Sequence, residues 1–141
     1  MNAPAQHEVD GTPSLDVVLV EDDDDVRAIL RLLFELDDRF RLVGEAADGL
    51  TGIEVISSSR PAVVVLDMEL PGATGAEVIT KSRVVSPHSR IVVFSAFPDP
   101  FTLVEVLRLG ADTYLDKATA WMDLIPTIAE LCALPGPAPA L

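Results

Sequence analysis

Cysteine and lysine are scarce in this chain of 141 residues. The single cysteine, Cys132, excludes an internal disulfide, and its place in an apolar helical pattern reads as core. Cations of any kind are few: 10 Lys and Arg stand against 23 Asp and Glu, for a net charge of −13 and a pI near 4.3. Such a surface repels the phosphates of nucleic acid and the headgroups of an anionic membrane. With only two lysines, Lys81 and Lys117, a lysine set among acids carries information. Long hydrophobic runs are also missing. No segment reaches the ~18 consecutive apolar residues of a membrane span, and residues 1–14 contain no apolar stretch of the signal-peptide kind. The expectation is a soluble, cytoplasmic protein. Hydrophobic residues at 49 % argue against global disorder, and the length suits one domain with its own core.

Residues 1–14 read as a flexible arm and residues 134–141 as a Pro-rich tail, with a domain over 15–133. Within it, five strand patterns alternate with five helical ones. The strands are expected at 16–20, 40–46, 62–67, 90–95 and 113–115. The first, third and fourth are almost continuously apolar, as strands covered on both faces are, which favours a central parallel sheet. Val26, Ile29, Leu30 and Leu33 mark the apolar face of the first helix. Asp48 caps the second, and Thr74 to Glu77 has capping-box spacing before the third. Asp99-Pro100 starts the fourth, whose apolar face is read as Leu103, Val104, Leu107 and Ala111, with Gly110 ending it. Pro126 fits poorly inside the fifth, which either bends there or starts late with Asp123 as its N-cap. The fold class is α/β, a (βα)5 doubly wound open parallel sheet in a single domain. In such sheets ligands sit at the carboxyl ends of the strands.

Those strand ends carry chemistry. The first runs into five acids, Glu21-Asp-Asp-Asp-Asp25; the third ends at Asp67, the fourth at Ser95, and the fifth runs into Lys117. Crowded carboxylates ask for a cation, and Mg²⁺ prefers hard oxygen ligands. An aspartate can act as nucleophile, and an ammonium and a hydroxyl suit the oxygens of a transferring phosphoryl group. The segments Val18-Leu-Val-Glu-Asp-Asp-Asp-Asp-Val-Arg27, Val63-Val-Val-Leu-Asp-Met-Glu-Leu-Pro-Gly72, Ile91-Val-Val-Phe-Ser-Ala96 and Gly110-Ala-Asp-Thr-Tyr-Leu-Asp-Lys117 together resemble the receiver domain of bacterial two-component response regulators. The resemblance implies a flavodoxin-like fold and Asp67 as phosphoacceptor. It implies Mg²⁺ (or Mn²⁺) held by Glu21, Asp22, Asp67 and the backbone carbonyl of Glu69. Ser95, Ala96 and Lys117 would bind the phosphoryl group, and Ser95 with Tyr114 would form the switch. Glu69 and Phe97 stand where the family tunes dephosphorylation. Ala118 replaces the proline usual after the lysine, and the expectation is a cis Lys117–Ala118 bond.

Other polar groups read more simply. Asp23 is a solvated bystander, and Asp24 and Asp25 are the cap and first turn of the first helix. His7 and His88 lack partners at catalytic or metal spacing, and Trp121 is packing. The expected function is a response-regulator receiver, not an enzyme. It takes its phosphoryl group from a sensor histidine kinase and presents an altered helix 4–strand 5–helix 5 surface to a downstream protein or a second copy. It is expected to work as a stand-alone receiver. One alternative is the N-terminal part of a helix-turn-helix transcriptional regulator, since the tail also resembles a linker. Another is a pseudo-receiver interaction module that ignores phosphorylation. An aspartyl phosphohydrolase is the competing enzyme reading; such enzymes often carry a second Asp two residues on, where this chain has Glu69.

Overall fold

The computed structural model describes residues 6–9, 12–96 and 99–134, with side chains at the amino-terminal end from Ser14 onward. The elements run β1 (Gln6–Val9), β2 (Thr12–Val20), α1 (Asp24–Glu35), β3 (Phe40–Ala46), α2 (Gly49–Ser59), β4 (Val63–Leu66), α3 (Gly75–Val85), β5 (Arg90–Ser95), α4 (Pro100–Leu109), β6 (Thr113–Asp116), a short 3-10 turn (Trp121–Asp123) and α5 (Leu124–Leu131). Five parallel strands lie in the order β3-β2-β4-β5-β6, the flavodoxin-like order expected. A sixth strand, Gln6–Val9, falls within residues 1–14. Gln6–Val9 pairs antiparallel with Thr12–Leu15, so β2 starts four residues before the expected Asp16. This pairing is made of backbone groups, which the apolar pattern of the sequence does not display.

The sheet is covered on both faces, and the alternation along each strand sorts its side chains between them. Val17, Leu19, Val63, Val65, Val92 and Phe94 face Leu30 and Phe34 of α1 and Leu124 and Ile128 of α5. Val18, Val20, Val64, Leu66, Ile91 and Val93 face Ile56 of α2, Val78 and Ile79 of α3 and Val106 of α4. Each fully buried Val, Ile, Leu or Phe contributes ~1.5–3 kcal/mol, so the central strands hold the site rim rigidly. Trp121 stacks edge-on against Phe94 at 4.8 Å, a packing role as expected.

Two helical faces differ from their expected patterns. In α1 the buried residues are Leu30 and Phe34, with Val26 packed beside them, while Ile29 is half exposed. In α4 only Val106 is buried, and Val104 and Leu107 stay 51 % and 43 % exposed. Helix α4 packs on α3 and the short edge strand β6, so a single row of its side chains meets the core. The fifth helix starts late: the 3-10 turn ends at Asp123, which takes the N-cap position, and Pro126 falls in the first turn of α5, where no intrahelical donor is lost.

The loop after Asp67 is fixed by close backbone contact. The Gly49 N–H donates to the Pro71 carbonyl at 3.0 Å, and a Cβ at Gly49 would lie 2.1 Å from the Ala73 carbonyl oxygen. Gly72 then turns the chain with φ of 78°. Gly49→Ala is expected to lower stability by about 1–3 kcal/mol through this overpacking, read as a fall in the urea midpoint at unchanged slope.

Candidate functional site

The apolar strands stop together at one rim, and the polar residues that follow them meet there. Asp67, directly after β4, is buried, with its N–H held by the Val20 carbonyl. Ser95 ends β5 and donates its hydroxyl to Asp67 Oδ1 at 2.6 Å; its oxygen accepts the Met68 N–H at 3.3 Å. The Glu69 N–H also points at Asp67 Oδ1, at 3.2 Å. Lys117 crosses from the end of β6, with Nζ 2.5 Å from Glu21 Oε1 and 3.4 Å from Asp67 Oδ2. Glu21 follows β2 and is only 2 % exposed, while Asp22 beside it faces solvent. Carboxylate oxygens of Glu21, Asp22 and Asp67 all lie within 4.8 Å of one another. Three hard, anionic donors on one side and solvent access through Asp22 fit a Mg²⁺ ion that keeps part of its water shell. Tyr114, half-buried on β6, donates its phenol to the Ala96 carbonyl at 3.2 Å.

The acids and Lys117 perturb each other. Burial raises the Glu21 carboxyl to about 7 from an ordinary 4.5; the Lys117 hydrogen bond and the Asp23 N–H pull it back, and the charge of Asp67 adds to the rise. Burial pulls the Lys117 ammonium down, but its hydrogen bond to Glu21 and the charges of Asp67 and Glu21 prevail and leave it raised. Glu21 has a consequence for stability. The unfolded carboxyl loses its proton near 4.5, whereas the folded one keeps it to about 7. The folded state therefore holds more protons in that window. The stabilisation is complete below the lower value and lost as pH rises through the upper one. Metal-free Glu21→Gln, which imitates the protonated acid, should melt higher than wild type above about pH 7 and converge with it below about pH 4.5. Thermal melts by circular dichroism across that range check it; a lower-melting variant above the window would mean the Lys117 ion pair outweighs the burial cost.

Most residues singled out from the sequence converge: Glu21, Asp22, Asp67, Ser95 and Lys117 share the rim, with Glu69, Ala96 and Tyr114 around it. Phe97 lies outside the described residues. Two expectations are corrected. Asp23 is no bystander: it is the N-cap of α1, and its carboxylate accepts the N–H groups of Asp25 and Val26. That moves Asp24 and Asp25 into the first turn, where their charge suits the helix dipole. The Lys117–Ala118 bond is trans, as are all others described. Without proline the cis form costs about 2.5–4 kcal/mol, and the trans chain already satisfies itself, with Asp116 Oδ1 accepting the Ala118 N–H at 2.8 Å. Sequence reasoning passed over Arg27, whose guanidinium donates to the Glu21 carbonyl at 2.8 Å and to Asp24 Oδ1 at 2.6 Å. A lone cation two residues beyond a run of five acids was the available signal.

The chain is similar to known proteins in sequence and in fold. A family described as "Response regulator receiver domain" matches residues 17–129. The nitrate/nitrite response regulator protein NarL of Escherichia coli is 34 % identical over 117 residues, which cover 83 % of this chain and 54 % of that protein. Sporulation initiation phosphotransferase F of Bacillus subtilis is 28 % identical over 101 residues, covering 72 % of this chain and 80 % of that one. Among solved structures, the receiver domain of a NarL from Mycobacterium tuberculosis superposes with a TM-score of 0.80 at 27 % identity, covering 85 % of this chain and 97 % of that one. The chain thus spans about half the length of the first curated relatives it matches. Among the described residues, no helix is long and apolar enough to cross a membrane.

Proposed function

The chain belongs to the response regulator receiver domain family, and from that premise we propose that Asp67 accepts a phosphoryl group from the phosphohistidine of a sensor histidine kinase. Receiver domains are phosphoacceptor signalling modules that pair with such kinases, and are not classical enzymes. In the proposed reaction a carboxylate oxygen of Asp67 attacks phosphorus, the phosphorus–nitrogen bond breaks, and the imidazole leaves with the electron pair. Glu21, Asp22, Asp67 and the carbonyl of Glu69 would hold Mg²⁺, or Mn²⁺ in its place. When bound, the ion neutralises charge on the acids and on the phosphoryl oxygens. Lys117 pairs with a phosphoryl oxygen, and Ser95 and the Ala96 N–H take others.

The observation that carries this reading is that Ser95 Oγ and Lys117 Nζ both address the Asp67 carboxylate, at 2.6 and 3.4 Å. Once Asp67 carries the phosphoryl group, Ser95 turns to it and draws the Ala96 backbone along. Tyr114 hangs on that carbonyl, so it transmits the change to the surface of α4, β6 and α5. The outcome is a population shift between two conformers. Phe101, Val104 and Leu107 on α4 are exposed at 79 %, 51 % and 43 %. This apolar row supports a downstream protein or a second copy as the reader. The test is intact-mass measurement after incubation with acetyl phosphate, with Mg²⁺ and with a chelator, followed by mapping of the modified residue. One phosphoryl group on Asp67, present only with the metal, is expected. Uptake at another residue, or uptake indifferent to the chelator, defeats the reading.

Two readings of the whole protein each rest on one likeness. The stand-alone receiver is favoured by the phosphotransferase of which this chain covers 80 %. The N-terminal part of a transcriptional regulator is favoured by NarL, of which it covers 54 %. We adopt the first. An antibody to this domain, used on an extract of the source cells, decides between them by the size of the band.

A further inference from the structure

We propose that Arg27 is a positioning residue for the metal site, holding the Glu21–Asp22 turn in its ligand geometry; the inference rests on the proposed function above. Arg27 sits in the first turns of α1 with its side chain only 17 % exposed, and it joins three elements. Nη1 donates to the backbone carbonyl of Glu21, just past the end of β2, at 2.8 Å. Nη2 donates to Asp24 Oδ1 in the first turn of α1 at 2.6 Å. Nε lies 3.4 Å from Glu45 Oε1 near the end of β3, and Glu45 is itself gripped by both ends of the Arg31 fork at 2.7 Å.

The Glu21 carbonyl belongs to the peptide that joins the two acids. Its partner sets the plane of that peptide, and the plane sets where the exposed Asp22 carboxylate points. On the other side Glu21 is already fixed: its N–H donates to the Ala46 carbonyl at 2.9 Å and its Oε2 accepts the Asp23 N–H at 3.1 Å. The turn is therefore held at the strand by the sheet, at the helix by the Asp23 cap and at the Glu21 carboxylate by Lys117, while among the described side chains Arg27 alone takes the Glu21 carbonyl. Lysine has no planar fork with which to make these contacts together.

Electrostatics by itself assigns Arg27 the opposite effect. A fixed cation beside a cation site repels the incoming ion, so neutralising it should tighten Mg²⁺ binding. Positioning requires the reverse, and the sign of the change decides. The experiment titrates chelator-treated wild type, Arg27→Gln and Arg27→Lys with MgCl2 by calorimetry, at a temperature where each is folded by circular dichroism. Both variants are expected to bind about 10-fold more weakly, the usual loss when a group that orients a metal ligand is removed. The Mg²⁺ concentration that half-saturates phosphoryl uptake from acetyl phosphate should rise by the same factor, with the rate at saturating Mg²⁺ little changed. A merely structural role would lower the melting temperature and leave both quantities alone. Binding by the variants as tight as wild type, or tighter, overturns the inference; Arg27→Lys, which keeps the charge, answers the question if Arg27→Gln does not fold. A wild-type protein that takes up no Mg²⁺ overturns the proposed function itself and this inference with it.

Discussion

The Asp67→Asn variant should take up no phosphoryl group from acetyl phosphate under conditions that label wild type fully. Asparagine keeps the size of the side chain and an oxygen able to accept the Ser95 hydroxyl, now 2.6 Å from Oδ1. It lacks the anionic oxygen that would attack phosphorus in the proposed reaction and one carboxylate oxygen of the acidic cluster. The loss should come without unfolding. The charge of Asp67 is one of the influences that push Glu21 up, so its removal relieves crowding, and the variant should melt no lower than wild type without metal. Intact mass and a thermal melt on the same sample check both halves. Labelling of the variant at the wild-type level would remove Asp67 from its role. Partner binding that is the same for wild type, phosphorylated wild type and Asp67→Ala would instead favour the interaction module that ignores phosphorylation.

Replacing Lys117 by Met is the second large effect. Initial phosphoryl uptake at saturating Mg²⁺ should fall by about 10²–10³, the range seen when one charged or hydrogen-bonding group aimed at the reacting oxygens is deleted. Among the described residues, Lys117 is the one cation within ion-pair distance of Asp67. Its loss also leaves Glu21 and Asp67 facing each other in a buried rim with nothing between them. The metal-free variant should therefore melt below wild type near neutral pH and recover part of the difference when Mg²⁺ is added. Lys117→Arg keeps the charge but not the compact ammonium, and an intermediate rate is expected. A Lys117→Met protein that is labelled as fast as wild type would make Lys117 a structural partner of Glu21 and nothing more.

How far these results were legible in the sequence depends on which interactions are local. The apolar runs of Val17–Val20, Val63–Leu66 and Ile91–Phe94 named the buried strands, because a strand covered on both faces has no polar side to show. The caps Asp48, Thr74 and Asp99 were readable because a cap bonds a backbone N–H a few residues away, and all three do. The α1 cap was misplaced by one residue because five neighbouring acids offer several equivalent caps; the backbone at Asp23 chooses among them. The face of α4 was misread because periodicity gives a helix an apolar side without saying how much of it a neighbouring element will cover. β1 was invisible because its pairing is carried by backbone groups common to every sequence.

Composition, hydrophobic period and the acids, hydroxyl and lysine at four strand ends determined the fold class, the family and the candidate site residues of this protein, since each is written in side-chain type and spacing. Tertiary structure alone decided how those groups interact. Glu21 and Lys117 lie 96 residues apart, and only the stacking of β2 and β6 ends on one rim brings them to 2.5 Å. The rise of the Glu21 carboxyl comes from its burial at that rim, against the pull of the Lys117 hydrogen bond. Arg27 meets the Glu21 carbonyl at 2.8 Å and Glu45 at 3.4 Å where α1 packs beside β3. Burial and contact between distant elements are properties of the packed chain, and no short stretch of sequence contains them.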